Sequence, residues 1–217
     1  LSILEEVGVV FRDDIALEDW RRAGGDVRGE TVHLDRALVR DLISSIPPTI
    51  TLHARNPEKT VAVGGRNSIF VPMTGAPYLR DLGDVRRSPT LDDLATFHKL
   101  SHMLPAMHSS AHHIVEPMDH PVSHRHLRIT YSSMIHSDKT FMGMTTSGRN
   151  AEDVLDMCAI LFGEDYLETH PVVVGNCNGN SPLVWDETML SAMRAFNRRN
   201  QPVLCSPFVL GGANTPA

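Results

Sequence analysis

The chain has 217 residues, of which 41% are hydrophobic, which is enough to bury the core of one large domain with an appendage. Its formal net charge is -6 and it has no run of lysine and arginine, so it lacks the basic surface that binds nucleic acid. No stretch approaches the roughly 18 to 20 apolar residues that cross a bilayer, and no signal-peptide pattern is present. We therefore expect a globular, cytoplasmic protein whose partners are neither nucleic acid nor membrane.

The cysteines and histidines are unevenly distributed. Cys158, Cys177 and Cys205 are odd in number and far apart, which leaves neither a disulfide framework nor a CxxC motif. We expect reduced thiols in a core. Twelve histidines are present, and nine of them fall between His98 and His136, so this segment is the first place to look for a functional site.

Residues 1–65 predict an appendage of helices and one β-hairpin. Asp14 is expected to cap a helix that ends at the Gly24 and Gly25 pair, and Asp35 is expected to cap a second helix that stops before two prolines. Apolar residues then alternate with polar ones over residues 50–54 and 61–63, on either side of a turn sequence. This is the pattern of a β-hairpin.

From residue 66 onward, short apolar segments alternate with helical patterns. The predicted strands lie at 69–71, 106–114, 141–145, 172–174 and 202–206. Helices between them are expected to begin at a capping box of Thr90 and Asp93, at Asn150 and at Asp186. An alternation of strand and helix predicts right-handed βαβ crossovers and a parallel sheet.

Two parallel architectures fit this alternation, a doubly wound sheet and a barrel. The sequence contains neither a G-x-G-x-x-G turn nor a G-x-x-x-x-G-K-[ST] loop, so a nucleotide-phosphate site is not supported and the barrel is favoured by elimination. A complete (β/α)8 barrel takes roughly 250 residues, and about 150 follow the appendage, enough for about five strands. We predict an incomplete parallel TIM barrel over 66–217, whose open edges would favour a homo-oligomer.

Ligands of a parallel barrel lie at the carboxyl ends of its strands. His113 and Glu116 are the strongly titratable pair at such a position, and a His–carboxylate pair can perform acid–base catalysis or hold a cation. Asn178 and Asn180 follow a run of valines, and their amides could orient a polar ligand. The alternatives are a structural hydrogen-bonded pair and ordinary turn chemistry. Cys177 is expected to be inert, since no cation adjoins it in the sequence.

The histidines also suggest a metal site as an alternative. His98 and His102 have i,i+4 spacing on a predicted helix, and His124 and His126 resemble the HxH pair of metal-dependent barrel hydrolases. However, the first pair lacks the glutamate of H-E-x-x-H, and the second pair opens a helix instead of ending a strand. We therefore expect no metal ligands, and a metal-dependent hydrolase remains the alternative function.

Several segments, in the same order along the chain, resemble the trimethylamine methyltransferase family. They are LEEVGV at 4–9, LHARNP at 52–57, RSPTLDD at 87–93, VEP at 115–117, RHL at 125–127, SDKTFMG at 137–143, NSPLVWD at 180–186, NQPV at 200–203 and PFVLGGA at 207–213. Each match is only moderately specific, but together they span nearly the whole chain.

The resemblance implies a TIM barrel that moves a methyl group from a tertiary or quaternary methylamine, such as trimethylamine or a betaine, to a Co(I) corrinoid. The corrinoid (cobalamin) would be presented by a corrinoid-binding partner protein, with no cofactor bound directly by this segment. Family members that use trimethylamine carry a pyrrolysine beyond the matched segments. Recognition of a methylated cation would draw on an anion and on aromatic faces, which makes Glu116, Tyr78 and Phe208 candidates. A catalytically silent structural fragment is the remaining alternative.

Overall fold

The computed structural model describes residues 1–180 and 182–207 of the chain. The amino-terminal part forms a small unit whose elements are α1 (Ser2–Glu6), β1 (Val9–Arg12), α2 (Asp14–Ala23), β2 (Asp26–Arg28), β3 (Thr31–His33) and α3 (Arg36–Ser44). Strand β3 pairs antiparallel with both β1 and β2. Apolar side chains from these strands and helices meet in a second core, which includes Val9, Phe11, Leu17, Val32 and Leu34 together with Leu190 from farther along the chain.

Two hairpins connect this unit to the main sheet. Strands β4 (Thr49–Leu52) and β5 (Val61–Gly64) pair antiparallel, which confirms the predicted hairpin. A second and shorter hairpin, formed by β6 (Leu79–Arg80) and β7 (Arg86–Arg87), was not predicted. Its strands have only two residues each, which is too short for an alternating pattern to show in the sequence.

The main sheet is parallel, as predicted. From residue 91 onward, the elements in chain order are α4 (Leu91–Met103), β8 (Ser109–Ser110), α5 (Val122–His136), β9 (Thr140–Gly143), α6 (Gly148–Phe162), α7 (Glu164–Thr169), β10 (Val173–Gly179), β11 (Val184–Asp186), α8 (Glu187–Arg198) and β12 (Val203–Pro207). The strand order is β12-β10-β9-β8, and every neighbouring pair is parallel. Sequential strands are therefore neighbours in space, joined by helical crossovers.

The helices cover one face of this sheet. A Cβ placed on Gly143 or Gly175 would approach the ring of Phe196 in α8 to within 2.8 and 3.1 Å, so these two glycines let the helix lie close against the strands. Because side chains alternate along a strand, Val174, Asn176 and Asn178 point to the opposite face. Leu204, the register partner of Asn176, is 51% exposed there.

Strand β11 links the amino-terminal unit to the parallel sheet. It follows β10 in the chain, yet it pairs in parallel with β1 and places Trp185 beside Phe11. The pairing crosses the predicted boundary near residue 65, so residues far apart in sequence share one small sheet. Among the helices in the described residues, none is both long and apolar enough to span a membrane.

Some predicted strands are absent or shorter than expected. Residues 69–71 do not form a strand, since the Phe70 backbone bonds only to His108 and Ser109 and no ladder of hydrogen bonds forms along the segment. Phe70 is exposed instead of buried. The strand predicted over 106–114 is reduced to the two residues of β8, which are paired to β9 alone.

Other differences concern helix caps and the length of β10. The cap of α2 is Asp13 and not Asp14, and the cap of α6 is Ser147 and not Asn150. The capping box of Thr90 and Asp93 is confirmed. The asparagine segment predicted as a loop after residues 172–174 belongs to β10 as far as Gly179, since β12 pairs with it along that whole length.

Candidate functional site

The carboxyl ends of the parallel strands form one edge of the sheet, and the predicted site residues lie along it. His113 and Glu116 lie in the loop that follows β8. Asn178 is near the end of β10, and Asn180 comes directly after it. The topology therefore brings both predicted groups to the same edge, as expected for a parallel α/β protein.

The His113–Glu116 pair is joined by an arginine. Nε2 of His113 lies 3.7 Å from Oε2 of Glu116, and Nη1 of Arg125 donates to Oε1 of Glu116 at 2.7 Å. Arg125 also donates from Nε and Nη2 to the carbonyl oxygen of His120, at 3.1 and 2.8 Å. The carboxylate is thus shared between a guanidinium on one side and an imidazole on the other.

Arg125 is the main residue that the sequence reasoning missed. It lies in the first turn of α5, directly after the loop that carries Glu116. A basic residue is unfavourable near the positive end of a helix dipole, so its presence there was a signal for a local carboxylate partner. The ion pair holds Glu116 in place and offsets its charge, while Oε2 lies on the side of His113.

Burial favours the neutral form of the imidazoles at this edge. It lowers the pKa of His113, while Glu116 acts in the opposite direction. The pKa of His112 lies well below its ordinary value because of burial first, and then because of His113 and His98. The rings of His112 and His113 are 4.1 Å apart between centroids. A neutral His113 can accept a proton or donate one.

Gly75 closes the His113 side of the site. Its backbone N donates to the carbonyl oxygen of His113 at 2.7 Å. Its φ of +79° is one that side chains other than glycine rarely adopt, and an added Cβ would lie 3.4 Å from Nε2 of His113. The segment that follows the predicted strand at 69–71 therefore supports the histidine loop through a backbone contact.

A row of polar side chains lies at the ends of β9, β10 and β12. Oγ of Ser206 donates to Oδ1 of Asn178 at 2.5 Å and lies 3.2 Å from Oδ1 of Asn176. Oγ1 of Thr145 donates to the carbonyl oxygen of Asn176 at 2.5 Å. Since Oδ1 of Asn178 faces Ser206, its amide nitrogen points away from that hydroxyl and can donate to a ligand.

Three further residues, Asn180, Tyr78 and Phe208, were predicted to contact the substrate. Nδ2 of Asn180 donates to Oδ2 of Asp186, the N-cap of α8, at 2.6 Å, so its side chain ties the end of β10 to that helix. Tyr78 is 49% exposed, and the guanidinium of Arg86 covers one face of its ring at 3.8 Å. Phe208 lies outside the described residues.

The histidines proposed for the metal alternative are dispersed among different partners. His98 lies in the buried layer between α4 and α5, whereas Nε2 of His126 contacts Asp153 at 2.8 Å. Within residues 1–180 and 182–207, no group of three or more histidine, cysteine, aspartate and glutamate side chains could hold a metal ion. Cys177 is fully buried, and burial raises the pKa of its thiol to about 12, in agreement with an inert thiol.

The structure is that of a mixed α/β protein with a parallel sheet, and polar and histidine side chains lie along the carboxyl edge of that sheet. Over residues 1–217, the chain matches the sequence profile of the trimethylamine methyltransferase (MTTB) family. The chain belongs to that family, which confirms the resemblance seen in the sequence segments.

Three relatives have assigned activities. The chain is 42% identical over its whole length to a glycine betaine methyltransferase of Desulfitobacterium hafniense (strain Y51), of which it covers 46%. It is 27% identical, over 84% of its length, to the trimethylamine methyltransferase MttB of D. hafniense (strain DSM 10664 / DCB-2), covering 38% of that protein. It is 26% identical, over its whole length, to a proline betaine:corrinoid methyltransferase of Eubacterium limosum, covering 46%. The chain thus spans less than half the length of these relatives.

Proposed function

We propose that the protein carrying this chain transfers a methyl group from a tertiary or quaternary methylamine to a Co(I) corrinoid presented by a partner protein. The observation that carries the proposal is the 42% identity, along the entire chain, to a glycine betaine methyltransferase. Betaine-like quaternary amines are therefore the first substrates to test. One C–N bond breaks, the methyl carbon accepts an electron pair from Co(I), and the amine leaves with the nitrogen lone pair.

The architecture proposed for the whole protein is a (β/α)8 barrel. Four parallel strands in sequential order, with helices on one face, match one side of such a barrel. The helix-free face, with Val174, Asn176 and Asn178, would then be the barrel interior. The carboxyl edge with His113 and Glu116 would form one wall of its mouth, where barrel enzymes bind their substrates.

Each residue at the edge has a proposed role. Glu116 would contact the methylated ammonium through Oε2, the oxygen that Arg125 does not bind. Asn178 would donate an amide hydrogen to the polar end of a betaine-like substrate. A quaternary amine leaves as a neutral tertiary amine without taking up a proton, so His113 would orient the substrate instead of transferring a proton. Tyr78, Asn180 and Phe208 remain candidates for contacts around the cation.

The substitution Glu116→Gln tests this assignment in the full-length natural protein. It keeps the shape of the side chain and removes the charge, so we expect binding of glycine betaine to weaken at least about tenfold, or ~1.4 kcal/mol. Calorimetric titration measures the affinity. Glu152→Gln, at an exposed position of α6, is the matched control. Unchanged affinity for Glu116→Gln would remove Glu116 from the site.

The activity itself is tested with Co(I) cobalamin as the methyl acceptor. The full-length protein is supplied in turn with trimethylamine, glycine betaine, proline betaine and carnitine, and methylation is followed through the cobalamin absorption spectrum. We expect turnover with at least one betaine. Absence of turnover with all four would favour a catalytically silent member of the family.

A further inference from the structure

His98 connects two helices to the loop that carries the candidate site. It lies in the middle of α4 and is fully buried. Its Nδ1 is 3.0 Å from Oγ of Ser132 in α5, and its Nε2 is 3.2 Å from the carbonyl oxygen of His112. With both ring nitrogens engaged, the imidazole has one orientation.

The hydrogen bonds also determine which nitrogen carries the proton. A carbonyl oxygen can only accept, so Nε2 of His98 must donate to His112. Burial lowers the pKa of His98 to about 4, and His136 in α5 contributes in the same direction, so the ring is neutral at neutral pH. Nδ1 is then an acceptor, and the hydroxyl of Ser132 donates to it.

The carbonyl group of His112 belongs to the peptide plane that leads into His113. His98 therefore holds the peptide group before His113, while Gly75 donates to the carbonyl oxygen of His113 at 2.7 Å and holds the peptide group after it. Between these two anchors, the His113 ring packs on His112 and lies 3.7 Å from Oε2 of Glu116. No contact of His98 itself reaches Glu116 among the described hydrogen bonds.

From this geometry we infer that His98 is a positioning residue: it orients His113 against Glu116 by fixing the His112 peptide from α4. The inference rests on the proposed function as far as the ligand is concerned. The placement of His113 can be measured without any ligand.

A pair of amide substitutions separates the two hydrogen bonds of His98. The amide nitrogen of Gln reaches about as far as Nε2 and can donate to His112, whereas the amide of Asn ends near Nδ1 and can bond only Ser132. In the full-length protein, we expect His98→Asn to raise KM for glycine betaine at least about tenfold, and His98→Gln to stay within about threefold of the wild type. The melting temperature should fall for both.

The pKa of His113, followed by NMR in the same variants, distinguishes positioning from packing. A loss of packing alone would change this pKa equally in the Asn and Gln variants. The His113 pKa should rise toward the ordinary value in His98→Asn, because a released loop admits water, and should stay low in His98→Gln. His124→Asn and His124→Gln, at an exposed position of α5, are the controls and should leave both values unchanged. If His98→Asn does not fold, His98→Leu, which fills the position without a hydrogen-bond donor, replaces it and should shift the His113 pKa in the same direction, whereas Ser132→Ala keeps the bond to His112 and should leave that pKa low.

The outcomes distinguish the two levels of the proposal. Equal His113 titration in the Asn and Gln variants would mean that His98 only fills space, and would overturn the inference. If the two variants differ in the His113 pKa while the wild type binds no methylated amine, the positioning of His113 is supported and the proposed function fails.

Discussion

The side chain of Asp13 has two structural roles. Its Oδ1 accepts from the backbone N of Ala16 at 2.7 Å and so caps α2. Both carboxylate oxygens also bind the guanidinium of Arg194 in α8, at 2.9 and 2.7 Å. The carboxylate is almost fully buried, and it joins the amino-terminal unit to the helix that packs on the parallel sheet.

The substitution Asp13→Asn should separate these roles, because Asn still caps a helix but leaves Arg194 without its counter-charge. Breaking a buried ion pair by removing one partner costs about 3–5 kcal/mol, and the partial exposure of Arg194 places our expectation at the lower end of that range. Urea unfolding measures the loss. Asp35→Asn, which alters the exposed cap of α3, is the control and should change stability by less than about 0.5 kcal/mol.

The Asp13–Arg194 pair also predicts a pH dependence. Burial raises the pKa of Asp13, but hydrogen bonds from Arg194 and Ala16 lower it further, so it lies below the ordinary value of 3.8. The contribution of the pair is therefore complete above 3.8 and is lost as the pH falls through the lower folded-state pKa. Urea midpoints of the wild type and Asp13→Asn should converge as the pH is lowered below 3.8 toward the folded-state pKa. A constant difference down to about pH 2 would contradict this assignment.

The location of a candidate residue could be predicted only where topology alone determined it. His113 and Glu116 could be placed at the carboxyl edge because they follow a strand, and that needed no knowledge of contacts. The roles of Arg125 and His98 depend on contacts across 9 and 14 residues of chain, which bring helix side chains to a loop. Spacing along one helix does not report such contacts.

Helices that begin at a local sequence signal were predicted to within a few residues, whereas the lengths of the strands in the parallel sheet, which depend on pairing, were not. The box of Thr90 and Asp93 is encoded within four residues, and α4 begins where it predicts. The length of β10 is set by β9 and β12, so asparagines that favour turns in isolation are held in an extended strand. The segment at 69–71 has an apolar pattern but only single backbone contacts, and it remains irregular.

Gln201 joins two connections at the amino ends of the strands. It is 2% exposed, and its Oε1 accepts from the backbone N of Val172 at 2.8 Å. Its Nε2 lies 2.6 Å from the carbonyl oxygen of Leu167, 3.1 Å from that of His170 and 3.0 Å from that of Arg199. One side chain therefore forms hydrogen bonds with backbone groups in both the turn before β10 and the turn before β12.

We expect Gln201→Leu to destabilise the fold by at least about 2 kcal/mol, because it leaves several buried backbone groups without partners at ~1–3 kcal/mol each. Gln201→Glu keeps the acceptor for Val172 but places a second oxygen against three carbonyls, so it should cost more at neutral pH than at acidic pH. Denaturant midpoints at the two pH values provide the measurement. Equal losses at both would show that the Nε2 donors are not needed.

At the scale of the whole molecule, the alternation of strands and helices correctly predicted a parallel sheet with its polar residues on one edge. It could not predict that β11, which follows β10 in the chain, pairs with β1, since that pairing joins segments about 170 residues apart. The main sheet has helices on one face, and its second face carries Leu204 and Val174. A half-apolar face of this kind requires a cover in a stable protein.

If the rest of a barrel supplies that cover, the substitution Leu204→Glu should have opposite effects in two contexts. In the full-length natural protein the new carboxylate would be buried, and we expect a loss of several kcal/mol or failure to fold. In residues 1–217 alone the position is 51% exposed, so the same change should leave stability nearly unaltered while lowering self-association and binding of a hydrophobic dye. Ile160→Glu, at an 87% exposed position of α6, is the control and should be tolerated in both. Light scattering, dye fluorescence and denaturant unfolding measure these effects. Tolerance of Leu204→Glu in the full-length protein would mean that the helix-free face is open to solvent, and the barrel proposal would then fail.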